Sequence, residues 1–286
     1  MSEIETMLAA AIEAAGAISE IYARGTVARH KADGSPVTEA DACAEEIILR
    51  HLAPLGLPIL AEESVAAGRI PALGERFFCV DPLDGTKEFL KRNGEFTVNI
   101  ALVEHGRPRL GIILAPVTGA TYWATSEGAH VGRLIDGGIR DVQPATVVAD
   151  GPLRIVASRS HGHPALRVLC DRMAVAEDVT VGSSLKFGLL ATGAAQLYPR
   201  FGPTSEWDTA AGQAIIEAAG GVVLRLDGTP LTCGHPSVGF INPTFVAAAS
   251  QALAEAAIAE ILVIEARGEQ VGEPPPQPCV VCIPCP

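Results

Sequence analysis

Lysine is scarce in this chain: only Lys31, Lys87, Lys91 and Lys186 occur among its 21 basic residues. With 33 acidic residues and a formal charge of −12, it has no basic excess to follow a polynucleotide backbone, which argues against a nucleic-acid scaffold. No apolar run approaches the ~18 residues needed to span a bilayer. The opening MSEIETMLAAAIEAAG is acidic and amphipathic. It lacks the basic start and cleavage site of an export signal, so the expected location is cytoplasmic. A Walker-type GxxxxGK[ST] loop is also missing, so nucleotide hydrolysis by a P-loop is unsupported.

Cysteine offers no framework. Cys43, Cys79, Cys170 and Cys233 lie in apolar contexts and read as reduced core residues. Cys279, Cys282 and Cys285 sit in CVVCIPCP, without a fourth ligand nearby or a folded frame. A loose proline-rich tail over 267–286 is the expectation there, rather than a metal site.

What is present is a set of acids at fixed places. Short apolar runs at 58–61 and 77–80 read as strands, and each ends in acids: AEES with Glu62 and Glu63, then DPLDGT with Asp81 and Asp84. A third group, SEWDTAAG, puts Asp208 at the start of an Ala-rich helix. Taken singly, Asp208 reads as a first-turn acid favoured by the helix dipole, and the glutamate pair as solvated surface. Asp41 reads as the capping-box partner of Thr38. DPLDGT resists such a reading, because two acids around a stiff proline at a strand end are not a solvated helical face. Carboxylates held this close suit a hard cation with oxygen ligands, and with no histidine or cysteine framing the motif, magnesium or manganese fits better than zinc. Gly85, Thr86 and Lys87 then offer backbone N–H groups, a hydroxyl and a cation to a phosphate. The aspartyl-nucleophile motif D-x-D-G-T does not match, since these aspartates stand three apart rather than two.

The remaining pattern predicts helices over 3–23 and 38–52, and an antiparallel meander over 96–131. Residues 132–151, punctuated by glycine and aspartate, read as a boundary. Strands and helices then alternate, with helices over 163–173, from 185, over 208–219, and finally over 244–264. The expectation is an α/β protein: an α+β N-terminal domain over 1–150, an α/β domain over 151–266, and the tail.

AEES, DPLDGT and WDTAAG, in this order and spacing, resemble the inositol monophosphatase superfamily of metal-dependent, lithium-sensitive phosphatases. The flanks DGSPVTEAD, DPLDGTKEFLKRNGEFTVNIAL, SRSH, GSSLKF and QLYPRFGPTSEWDTAAG resemble its CysQ-type 3′(2′),5′-bisphosphate nucleotidases. The resemblance implies a layered αβαβα sandwich. It implies metal ligation by Glu62, Asp81, the Leu83 carbonyl, Asp84 and Asp208, with two or three Mg2+ ions, Mn2+ as a substitute and Li+ as an inhibitor. Thr86 and Asp41 would orient the attacking water, with no covalent phosphoenzyme, and Gly85 and Thr86 N–H groups would hold phosphate oxygens. The implied substrate is a small anionic nucleotide, adenosine 3′,5′-bisphosphate or its sulfated form, in sulfur assimilation. Lys186, Arg200, Ser183 and Ser184 match positions that take a second phosphate, and Lys87 lies beside the first. An inositol or other sugar phosphatase, and a non-catalytic metal-binding protein, stay open as alternatives. A homodimer and loose peripheral contact with the inner membrane are both compatible with the chain.

Overall fold

The computed structural model describes residues 2–31, 34–158 and 163–268. The cysteine-bearing tail, Asp33 of DGSP and most of SRSH lie outside the described residues.

The first helix, α1 (Glu3–Arg24), starts at a reciprocal cap between Ser2 and Glu5 and buries a stripe from Met7 to Ile21. A short hairpin follows, β1 (Arg29–His30) with β2 (Pro36–Val37). Thr38 caps α2 (Glu39–Leu52), with Asp41 completing the box. Then come β3 (Ile59–Ala61), α3 (Glu62–Ala66), β4 (Arg76–Asp84) and α4 (Thr86–Lys91). The meander is β5 (Thr97–Glu104), β6 (Arg107–Leu114), β7 (Ala120–Thr125), β8 (Gly128–Ile135) and β9 (Gly138–Ala145). These strands, with β3 parallel to β4 at one edge, make a seven-stranded sheet in the order β3-β4-β5-β6-β7-β8-β9.

The meander therefore outlasts its predicted end. Asp136 and Gly137, read as boundary signals, are the two central residues of the β8–β9 hairpin, with φ of 49° and 76°. Positive φ at both positions is what a two-residue hairpin turn of matching twist demands.

The second half runs β10 (Arg154–Ser158), α5 (Pro164–Arg172), β11 (Glu177–Val181), α6 (Leu185–Ala191), β12 (Leu197–Arg200), β13 (Thr204–Ser205) and α7 (Glu206–Ala218). It closes with β14 (Val222–Arg225), β15 (Ile241–Asn242), β16 (Phe245–Ala248) and α8 (Gln251–Arg267). A five-stranded sheet has the order β11-β10-β12-β16-β14, and β13 pairs with β15. The predicted final helix needs correction at its start. Residues 245–248 are a strand between β12 and β14, buried throughout, and the helix begins only after the Ser250 cap. Alanine favours helix by a few tenths of a kcal/mol, and pairing on both sides in the interior outweighs that preference.

Strand alternation builds the layers. Phe78 and Val80 point into the cluster with α1 and α2, while Phe77 and Cys79 point the other way, toward α6 and α7. In the second sheet Val156, Tyr198, Phe245 and Ala247 face α6 and α7, while Ile155, Leu197, Val246 and Ala248 face α5 and α8. The order α1/α2, seven-stranded sheet, α6/α7, five-stranded sheet, α5/α8 is the expected αβαβα sandwich. Inside the middle layer the helices cross closely at Gly212, where an added Cβ would lie 2.2 Å from the Phe187 ring. Among the described residues no helix is long and apolar enough to cross a membrane.

Candidate active site

Each acid of the motifs arrives at the end of a regular element. β3 stops at Ala61, and Glu62 opens α3. β4 slips its register against β5 between Asp81 and Asp84, an irregularity that re-aims side chains as bulges do. Asp208 comes from the first turn of α7, in the layer shared by both sheets. The outcome is convergence: carboxylate oxygens of Glu62, Asp81 and Asp208 lie within 4.8 Å of one another. Asp84 stands beside them, and the Ser184 hydroxyl lies within reach of both its carboxylate, at 2.6 Å, and the Asp208 carbonyl, at 2.8 Å.

The chain anchors one oxygen of each aspartate. Leu83 N–H donates to Asp81 Oδ1 at 3.0 Å, Ser184 Oγ to Asp84 Oδ2 at 2.6 Å, and Ser205 N–H to Asp208 Oδ2 at 3.0 Å. Burial drives the Asp81 carboxyl well above the usual range, and the neighbouring Glu62, Asp84 and Asp208 charges push it further. Asp208 is raised in the same way, by burial and then by Asp84 and Glu62. Such a cluster favours protons until a cation replaces them. Carboxylate oxygens, with no imidazole or thiolate in the group, fit magnesium or manganese.

Lys31 and Glu63 also belong here, and sequence reasoning missed both. The Lys31 ammonium lies 2.5 Å from Glu62 Oε1 and 2.6 Å from Glu63 Oε1. Burial pulls its pKa down, but the two glutamates outweigh burial and leave it raised. Burial lifts Glu63 to about 7 against the pull of Lys31. The scarcity of lysine was the available signal, since the fourth lysine sits on the first acidic motif.

Thr86 Oγ1 donates to Asp41 Oδ1 at 3.0 Å, while Asp41 Oδ2 accepts from Thr38 N–H and Oγ1, each at 2.7 Å. Asp41 thus caps α2 with one oxygen and holds Thr86 with the other. Burial raises its pKa, and these hydrogen bonds oppose the rise.

A cleft of about 190 Å3 opens next to the acids. Its lining includes Glu62, Asp84, Gly85, Thr86 and Lys87, together with Ser183, Ser184, Lys186, Arg200 and Asp208. Asp41 and Asp81 are buried behind it, as is Leu83, whose carbonyl is 3.5 Å from Thr86 Oγ1. Gly85, with φ of 96°, makes the turn into α4. Lys87 is exposed on the rim. Lys186 is buried under the cleft floor, donates to the Ser183 carbonyl, and lies 5.5 Å over the Tyr198 ring. Burial pulls its pKa down to about 8. The Arg200 guanidinium is held by the Gly202 and Pro203 carbonyls at 3.2 and 3.0 Å. Ser183 adopts φ of 47°, and its buried hydroxyl lacks a hydrogen-bond partner among the described residues. The Ser184 hydroxyl is instead engaged by Asp84, Asn99 and the Asp208 carbonyl. Arg92 stacks on Tyr22 and donates to its carbonyl.

Comparison with known proteins agrees with this geometry. The model of the inositol monophosphatase family matches residues 1–264. A Shigella flexneri protein named 3′(2′),5′-bisphosphate nucleotidase CysQ is 48% identical over 223 residues, covering 75% of this chain and 86% of that protein. The protein of the same name from Escherichia coli O157:H7 is 45% identical over 242 residues, covering 81% and 94%. The crystal structure of CysQ from Bacteroides thetaiotaomicron superposes with a TM-score of 0.71 at 37% identity, covering 86% of this chain and 96% of that one. An IMPase of Thermotoga maritima shares the fold, with a TM-score of 0.75 at 20% identity over 93% of this chain and 99% of that one.

Proposed function

The chain belongs to the inositol monophosphatase family, and from that premise we propose that it is a magnesium-dependent 3′(2′),5′-bisphosphate nucleotidase. It removes the 3′-phosphate of adenosine 3′,5′-bisphosphate, and of its sulfated form, in sulfur assimilation. One observation carries the substrate choice. The acid cluster and the Lys186–Arg200 pair line a single cleft, so one ligand can meet both. An inositol monophosphate has one charged group, and binding it at the acids would leave the basic pair unmatched. A bisphosphate nucleotide satisfies both ends.

Glu62, Asp81, the Leu83 carbonyl, Asp84 and Asp208 would hold magnesium, which when bound would supply Lewis acidity to lower the pKa of water and offset charge on the leaving oxygen. The side chains do the rest. Thr86 spends its hydroxyl proton on Asp41 Oδ1, so its oxygen lone pairs accept from the attacking water and fix its orientation. The water's proton passes through the Thr86 hydroxyl to Asp41, whose burial and raised pKa suit it to receive one. The Gly85 and Thr86 N–H groups hold phosphate oxygens, with Lys87 adding charge at the rim. Lys186, Arg200 and the Ser183 hydroxyl bind the second phosphate.

Phosphate release from adenosine 3′,5′-bisphosphate and from inositol 1-phosphate, each with and without magnesium, tests this reading. The bisphosphate is turned over faster, and only with metal. Equal or better turnover of the inositol ester would overturn the substrate assignment. A folded, metal-loaded sample that hydrolyses neither would point to a non-catalytic metal-binding protein.

A further inference from the structure

Asn99 and Ser184 form a buried polar pair that the hydrolysis just described does not use. Each is 1% exposed. Asn99 stands on β5 opposite Asp81 in the sheet register, and Ser184 is the residue preceding α6. Asn99 Nδ2 donates to Ser184 Oγ at 2.8 Å, and its contact with Asp84 Oδ2 is longer, at 3.4 Å. Ser184 Oγ lies 2.6 Å from Asp84 Oδ2 and 2.8 Å from the Asp208 carbonyl oxygen. A serine hydroxyl has one proton and two lone pairs. Receiving from Asn99, it directs that proton to the nearer acceptor, the Asp84 carboxylate. The 2.6 Å contact to Asp84 is the shorter of its two acceptor contacts.

We propose that Ser184 is a positioning residue for the metal centre rather than a substrate donor. Oriented by the Asn99 amide, it locks the Asp84 carboxylate from the residue that precedes α6. The inference rests on the metal-centre reading above. Asp84 and Asp208 belong to different layers of the sandwich, on β4 and α7. Among the described residues, the hydrogen bonds to the Asp84 carboxylate come from Ser184 and Asn99, neither of which is on β4, so these two side chains set where it points. Partners that orient metal ligands in this manner typically change metal affinity by 10–100-fold when removed. Ser183 is left as the serine facing substrate, its hydroxyl buried and unpartnered among the described residues.

Direct Mn2+ binding to the full-length, metal-stripped protein without substrate, read by the loss of free-ion electron paramagnetic resonance signal, is the test. Wild type and Asp208→Asn are compared first. Binding that needs Asp208 establishes the centre independently of the positioning claim. Ser184→Ala then weakens Mn2+ binding about tenfold and raises the magnesium activation constant similarly. At saturating metal the KM for adenosine 3′,5′-bisphosphate stays at the wild-type value. Asn99→Ala gives a smaller effect of the same kind, and the double variant is no worse than Ser184→Ala. Unchanged Mn2+ binding in Ser184→Ala overturns the proposal, as does a raised KM at saturating metal. Fully additive single effects overturn the orienting role of Asn99. If Ser184→Ala fails to fold, Ser184→Cys keeps the volume with a weak donor and is held to the same Mn2+ outcome.

Discussion

Thr86 and Asp41, 45 residues apart in sequence, share a hydrogen bond of 3.0 Å that joins the N-terminal turns of α2 and α4. In the proposed mechanism this contact lets one carboxylate both cap a helix and receive a proton. Thr86→Val keeps the shape and removes the hydroxyl. It should lower kcat by about 10²–10⁴-fold, the usual range for losing positioned proton transfer, while the magnesium activation constant stays unchanged. Steady-state rates across a magnesium titration decide the matter.

Asp84→Asn removes one charge from a cluster whose members repel one another. Turnover should fall to background while the metal-free protein melts no lower than wild type. Circular dichroism melts alongside phosphate release check both halves. A large drop in Tm would make Asp84 a structural acid.

The buried acids also set an unusual pH dependence for the metal-free protein. Asp81, Asp208 and Glu63 have folded-state pKa values above their ordinary ones, so the folded chain holds protons that the unfolded chain releases. Stability is then greatest at low pH and falls as pH rises through that window, which for Glu63 runs from 4.5 to about 7. The raised Lys31 acts in the same sense only at strongly alkaline pH. Without metal, Tm should be higher at about pH 5.5 than at about pH 8, and saturating magnesium should reverse the order.

Lys186 gives a separate pH signature. Its amine titrates at about 8 because burial disfavours the charge. It is cationic below that value and neutral above it. The KM for the bisphosphate should therefore climb above pH 8, while the KM for a monophosphate stays flat. Lys186→Ala should raise the bisphosphate KM at neutral pH and erase the climb. Equal effects on both substrates would remove Lys186 from the second-phosphate site.

Gly212→Ala tests the packing of the middle layer. The new methyl would sit 2.2 Å from a Phe187 ring atom, and the crossing of α6 and α7 has no room for it. A loss of about 1–3 kcal/mol is expected from overpacking, measurable by urea denaturation.

Part of this site was legible in the residues themselves, and the rest only through the family resemblance. Asp81, Asp84 and Thr86 stood out around Pro82 and Gly85 in DPLDGT, whereas Glu62, Asp208 and Asp41 read singly as surface, helix-dipole and capping acids and joined the set through the resemblance. Lys31 and Asn99 were not legible in the same way. Their roles come from contacts 31 and 85 residues away in sequence, Lys31 to Glu62 and Asn99 to Ser184. Asn99 lies inside a strand pattern where a polar residue looks like simple alternation. The fold shows the same division. Helices with caps and stripes were found, whereas β9 and β16 were missed. Aspartate and glycine in the hairpin imitated a linker, and alanine between two strands imitated a helix.

The middle layer has a consequence for synthesis on the ribosome. The first sheet and the acids Glu62, Asp81 and Asp84 are encoded before residue 146, but Asp208 rides on a helix that ends at Ala218. A nascent chain holds only part of the cage until that helix emerges and docks. On the proposed metal-centre reading, metal capture would wait for α7 to dock, and products truncated before it would lack the acid that α7 carries.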